Sequence, residues 1–394
     1  MSRIYFDYNA TTPLSKEVYD FYVKELTVYA NGSSLHQEGR EVAAVIEKAR
    51  GQIAGLVNCQ PEEIIFTSGG SESNNTVFNT MVELSKKRNN RVIVTTSIEH
   101  PCVLEASRRL EDQFGFEVVF LPVDDAGIVD MDSYKKALEK KPLLVSIMAA
   151  NNEIGTIQDI KQLCSMAHES GALFHTDAVQ AAGKIPVDFK DWDVDYATLS
   201  AHKIYGPKGV GALYVKTRTP IEPLVRGGHQ VHGLRAGTYN GPAIAAFGYA
   251  AELAGKELDE YAAHTGKLRR QLKEGLLKAV PGIRINGHET KVLPNTLNVS
   301  FPGAEGEAIL LYLDLLGVAA STGSACASAS LDPSHVLMAT GLGPELAHGS
   351  IRFSFGKYNT PEEVDFVLEK FPPVIERLRK MSTVSYTDKL AKEL

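Results

Sequence analysis

Short apolar runs alternating with amphipathic segments predict an α/β chain whose large domain is a mostly parallel sheet covered by helices on both faces. Two further observations support this. Turn residues stand at the joins, and the 394-residue length exceeds what one growing core accommodates, so a smaller second domain is expected. The strand candidates, in order, are Arg91–Thr95, Glu117–Leu121, Leu143–Ile147, Ala172–His175, Tyr196–Leu199 and Gly211–Val215. Between them, Cys102–Phe114, Asp132–Lys140 and Ile160–Ser170 have helical spacing. After Gly241 and Pro242 a long charged stretch, Ala243–Val280, reads as one helix, followed by strand-like Thr296–Phe301 and Ser350–Phe355 and terminal helices. This texture predicts a smaller α+β domain.

Composition narrows the function. Hydrophobic residues at 44% and charged residues at 23% are ordinary globular values, and a net charge of −7 gives no general attraction to nucleic acid or an anionic membrane. No run approaches the roughly 18 apolar residues of a membrane span, and the start shows no basic stretch leading into an apolar run. Four cysteines, Cys59, Cys102, Cys164 and Cys326, lie far apart without a CxxC pair, against a zinc site or a disulfide framework. A reducing cytoplasm fits.

In open α/β sheets ligands bind beyond the carboxyl ends of the strands, so the residues following each strand are the candidates for chemistry. Thr67–Asn75 is equally an N-capped helix start or a phosphate cradle of backbone N–H groups and hydroxyls. Lys203 follows a strand, where an amine can be desolvated and form a Schiff base, whereas Lys208 in a Gly-Pro-Lys-Gly turn reads as a surface charge. Asp177 is either a helix cap or a carboxylate set against a pyridine nitrogen. His100, before Pro101, is a loop histidine or an imidazole that stacks on a cofactor and carries protons. Cys326 stands in Ser321–Ser330, a run of small residues that cannot fill a core, so an accessible thiol on a mobile loop is expected. Cys59, Cys102 and Cys164 lie in or beside helical segments and read as packing residues.

Taken together, Tyr5–Pro13, Phe66–Asn74, Glu99-His100, Asn151–Gly155, His175–Gln180, His202–Gly209 and Ser321–Ser330 resemble the NifS/IscS-like cysteine desulfurases of the class V aminotransferase group, nearly end to end. The resemblance implies a homodimeric fold-type-I pyridoxal phosphate (PLP) enzyme with a large domain over 12–255, and a small domain from 1–11 and 256–394 that carries the cysteine loop. It further implies Lys203 as the cofactor lysine, Asp177 on the pyridine nitrogen and His100 on the ring. Gly70, Ser71, Ser200 and His202 would hold the phosphate, helped by Thr238 of the partner subunit, with Asn152 and Gln180 on the ring oxygen. Arg352 would clamp the carboxylate of L-cysteine, and Cys326 would take its sulfur and pass it to an iron–sulfur scaffold or a tRNA-thiolation enzyme. Gly70-Ser71 and Ala201 depart from the commoner Ala-Thr and Gly of that group, without loss of the hydroxyl or of small size. The competing reading is a selenocysteine lyase or another class V aminotransferase.

Overall fold

The computed structural model describes residues 3–228, 230–322 and 332–382. The chain opens with β1 (Ile4–Tyr5), α1 (Lys16–Glu25) and α2 (Gln37–Val57). Strands and helices then alternate: β2 (Ile64–Thr67), α3 (Gly70–Arg88), β3 (Val92–Thr96), α4 (Pro101–Phe114), β4 (Glu117–Leu121), α5 (Met131–Leu138), β5 (Leu144–Ser146), α6 (Ile160–Glu169) and β6 (Leu173–Asp177). The one-turn α7 (Phe189–Trp192), β7 (Tyr196–Ser200) and β8 (Gly211–Val215) complete this part. Beyond them lie α8 (Gly241–Lys256), α9 (Leu258–Ala279), β9 (Arg284–Asn286), β10 (Thr296–Ser300), α10 (Gly306–Leu315) and β11 (Val318–Ala319). Last come α11 (His335–Ala339), α12 (Pro344–His348), β12 (Ser350–Ser354), α13 (Pro361–Lys370) and α14 (Pro372–Met381).

Seven strands form one sheet in the order β2-β8-β7-β6-β5-β3-β4. All neighbours are parallel except those of β8, which runs against both β7 and β2. The link from β7 to β8 holds no crossover helix, only a 3-10 turn at Ala201–Lys203, and a strand returning that way pairs antiparallel. The side-chain period of two divides the core between the faces. Phe174, Ala197 and Ala212 point toward α2 and α8, where Ile46, Ile53 and Phe247 are buried. Their sequence neighbours Leu173, Tyr196 and Leu213 pack with Val77 and Met81 of α3 and Val103 and Leu110 of α4. Being covered on both sides, these strands carry continuous apolar runs, which is why they were legible.

The carboxy-terminal part builds a second core. The antiparallel sheet β12-β10-β9 packs Leu297, Val299 and Phe353 against Leu268 and Leu272 of α9 and Val364 and Val367 of α13. Ile4 and Phe6 belong to this cluster, and β1 pairs in parallel with β11. The expected single helix over Ala243–Val280 is instead two helices meeting at Glu257, whose φ −93° and ψ 3° leave helical geometry. Lys357 Nζ holds the Glu257 carboxylate at 3.0 Å, and Asp259 and Glu260 supply negative charge to the amino end of α9, so the break is favourable electrostatically.

Candidate active site

Five of the seven strands of the large sheet deliver candidate residues to one rim. The turn from β2 into α3 passes over β8 so closely that a Cβ on Gly211 would lie 2.7 Å from Gly69 Cα, which requires glycine there. The first amides of the 19-residue α3 have no acceptor within the helix, and Gly70 and Ser71 stand at that end. Salt bridging of Arg235 to Glu72 at 2.9 Å and the bond from Ser68 N–H to the Glu72 carboxylate at 2.7 Å fix the turn. After β3, His100 caps α4 ahead of Pro101 at its first turn. Beyond β5, the Asn151 side chain accepts from the N–H groups of Glu153 and Ile154, shaping the loop that presents Asn152. β6 ends in Asp177 and leads to Gln180, and β7 ends in Ser200, followed by His202 and Lys203 on the 3-10 turn. Arg352 comes from the interior of β12 in the second core.

These ten residues, Gly70, Ser71, His100, Asn152, Asp177, Gln180, Ser200, His202, Lys203 and Arg352, line a single cavity of about 250 Å³. Thr238 does not: it lines a separate cavity of about 230 Å³ with Thr67, Ser68 and Arg235. Cys326 lies outside the described residues. Two of the cysteines read as packing residues are enclosed, Cys164 in the sheet core and Cys59 at its edge, each pushed up to about 12 by burial. Cys102 departs from that expectation, because it lines the site cavity beside His100 and Asn74. Sequence reasoning missed it because a cysteine in the first turn of an amphipathic helix looks like any other small apolar position.

Charge is arranged unevenly in the cavity. Lys203 Nζ donates to the carbonyls of Asn9 at 2.5 Å and Ala10 at 2.7 Å. Burial, then the charges of Lys203, Lys208 and Lys184, lowers the His202 pKa to about 4. The carboxylate of Asp177 accepts from Asn74 Nδ2 at 2.8 Å and, as a turn rather than a helix cap, from Val179 N–H at 3.0 Å. Arg352 is 1% exposed, paired to Asp7 at 2.7 Å and donating to the Asn152 carbonyl at 3.0 Å, while its buried Nε–H has no partner. Beneath the rim, Glu99 accepts from Met148 N–H and the Thr96 hydroxyl, and burial raises its pKa to about 8, so it sits there largely neutral at pH 7.

Two further residues emerge only in three dimensions. Besides Lys203, the Asn9 backbone carbonyl accepts from Gln180 Nε2 at 3.0 Å, and its side-chain oxygen accepts from the fully buried Lys184 at 3.2 Å. Lys184 also donates to the Gln180 side-chain oxygen, which fixes which way that amide is turned. Their one sequence signal was position: Asn9 inside the Tyr5–Pro13 motif and Lys184 four residues after Gln180.

Amides at the amino end of α3, the Ser71 and Ser200 hydroxyls and the neutral His202 ring, with the Asp177 carboxylate and the Lys203 amine in the same cavity, suit a ligand with a phosphate, a protonated ring nitrogen and a carbonyl carbon. The donor set therefore fits PLP, and the unpartnered Arg352 N–H suits a carboxylate beside it. Residues 4–367 match the family model Aminotransferase class-V, and the chain belongs to that family of PLP enzymes. It is 47% identical to "Cysteine desulfurase IscS" of Dictyoglomus turgidum, over 99% of each chain, and 46% identical to "Cysteine desulfurase 2" of Trichormus variabilis, over 98% of this chain and 96% of that one. A solved "NIFS-LIKE PROTEIN" superposes with a TM-score of 0.89 at 42% identity, over 95% of this chain and all of that one.

Proposed function

We propose that this chain is a PLP-dependent cysteine desulfurase, converting L-cysteine and an enzyme thiol into L-alanine and an enzyme persulfide. The overall change balances without an external oxidant, since the sulfur leaves carbon and joins a second sulfur. The observation that carries the reading is the convergence of Lys203, His100, Asp177 and a buried Arg352 on one cavity, in a chain of this family.

When bound, the cofactor supplies a carbonyl carbon for amines and a ring that withdraws electrons from the substrate's α-carbon. Lys203 would hold it covalently and, once displaced, move the α-proton. Asp177 would keep the ring nitrogen protonated. His100 would lie on the ring and carry a proton to or from the departing sulfur. Gly70, Ser71, Ser200 and His202 would hold the phosphate, with Asn152 and Gln180 at the ring oxygen and Arg352 on the substrate carboxylate.

Cys326 is the proposed sulfur acceptor. The described residues on either side of its segment are pinned beside the cavity. Ser321 exchanges backbone hydrogen bonds with Arg352, and Ser334 donates to the Glu153 carboxylate at 2.5 Å while His335 donates to the Glu99 carbonyl at 2.9 Å. From Cys326 the sulfur would pass to an acceptor protein, such as an iron–sulfur scaffold or a tRNA-thiolation enzyme.

A second copy of the chain is the proposed partner for the surface around Thr238. Tyr29 and Leu35 are 92% and 90% exposed, and a cavity of about 380 Å³ there is lined by Val28, Tyr29, Thr238 and Tyr239. In that dimer Thr238 of the partner subunit would complete the phosphate site. The inferred division is a large domain over 12–255, with 1–11 and 256–394 forming the small one, in keeping with the packing of Ile4 and Phe6 into the second core. Among the described residues no helix is long and apolar enough to cross a membrane.

Incubating purified protein with L-cysteine and assaying alanine and protein-bound sulfur tests the reading. Equal amounts of both in the first turnover are expected, with the sulfur on Cys326. Alanine without protein-bound sulfur, or sulfur on another cysteine, refutes it.

A further inference from the structure

We propose that Cys102 is a positioning residue for His100: its S–H and its own backbone N–H both donate to Nδ1, keeping the imidazole proton on Nε2. The distances to Nδ1 are 3.0 Å from Sγ and 3.2 Å from the amide nitrogen. The amide can only donate, so Nδ1 presents a lone pair, and a sulfur at hydrogen-bond distance from that lone pair must bring the proton itself. On its other side Sγ accepts from Asn74 Nδ2 at 3.1 Å, and the same amide group donates to Asp177 at 2.8 Å. The orientation of Asn74 is set by that carboxylate, since turning the amide over would set oxygen against oxygen. Its Oδ1 is left buried without a partner. Asn74 thus donates both ways, to Asp177 and to Cys102, and Cys102, which the Ser71 side chain also reaches, donates on to His100.

Burial, with the Asp177 charge, pushes the Cys102 thiol up to about 12, which keeps the donor proton on sulfur at working pH. Burial lowers the His100 pKa; among charged groups Asp177 favours its protonated form, and Lys203 and His335 oppose it. Two donors aimed at Nδ1 add to the opposition, because a proton arriving there would meet two hydrogens.

This inference deepens the role given to His100 above and rests on it. It is tested in PLP-loaded protein without cysteine, so a failed desulfurase assay leaves the measurement standing. Histidine is labelled with nitrogen-15 and the His100 signals, assigned with H100N, are followed against pH in wild type, Cys102→Ala and Cys102→Ser. Wild type is expected to show the Nε2–H form and a midpoint below the ordinary histidine range. In Cys102→Ala the Nδ1–H form should gain and the midpoint rise by about half a pH unit or more, the equivalent of one lost hydrogen bond. Serine, which keeps a donor, should return both toward wild type. An alanine variant that titrates like wild type, or a serine variant that shifts as far as alanine, overturns the proposal.

Discussion

The rim of the seven-stranded sheet and the contact around Arg352 supply the same cavity by opposite means. On the rim, His100, Asp177, Ser200, His202 and Lys203 stand at or just after strand ends, above a core of Phe174, Val94 and Val145 whose packing does not include them. Arg352 instead lies inside β12, and its ion pair with Asp7 joins that strand to the amino-terminal segment. Chemistry on the rim is separable from folding. Chemistry at Arg352 is part of the scaffold.

The largest expected effect tests the rim. Lys203→Ala should lower alanine formation at least about a thousand-fold, since no other group would replace the proposed covalent cofactor lysine, while the far-ultraviolet circular dichroism and a cooperative melt persist. Collapse of the fold in this variant would break the distinction drawn above. Next, Asp7→Asn should act on both properties at once. It leaves a guanidinium 1% exposed without its counter-charge, so a loss of about 3 kcal/mol or more in denaturant unfolding is expected together with reduced activity. Unchanged stability with impaired turnover would place Arg352 among the rim residues.

Glu99 sharpens the comparison from beneath the rim. Its native pKa of about 8 lies above the unfolded value of 4.5, so its contribution to stability is full below 4.5 and is lost as pH rises through 8. Glu99→Gln carries no such loss. Its stability relative to wild type should therefore grow between pH 4.5 and 8, by up to about 1.4 kcal/mol per pH unit, and level off above. A difference independent of pH would show that Glu99 is ionised in the native protein. The smallest effect is at Ser334, whose hydroxyl donates to the buried Glu153. Ser334→Ala should cost about 1 kcal/mol, read as a shift in the urea midpoint at unchanged slope. A larger loss would mean that this hydrogen bond, like the Asp7–Arg352 pair, is structural.

The same contrast explains what could be read in advance. The amino-acid sequence by itself determined the α/β class, the strands buried on both faces and the family, because continuous apolar runs and turn residues are local signals and the motif residues follow the strands in order. It also marked ten residues that the fold gathers in one cavity. The tertiary structure alone decided that β8 runs antiparallel, that the helix expected over Ala243–Val280 breaks at Glu257 where Lys357 comes across, and that Ile4 and Phe6 pack with residues some 300 positions away in sequence. It alone placed Asn9, Asn74, Lys184 and Cys102 at the site. Their roles rest on hydrogen bonds between segments 28 to 194 residues apart, or on a side chain turning toward its own helix cap, and neither periodicity nor spacing encodes such a meeting.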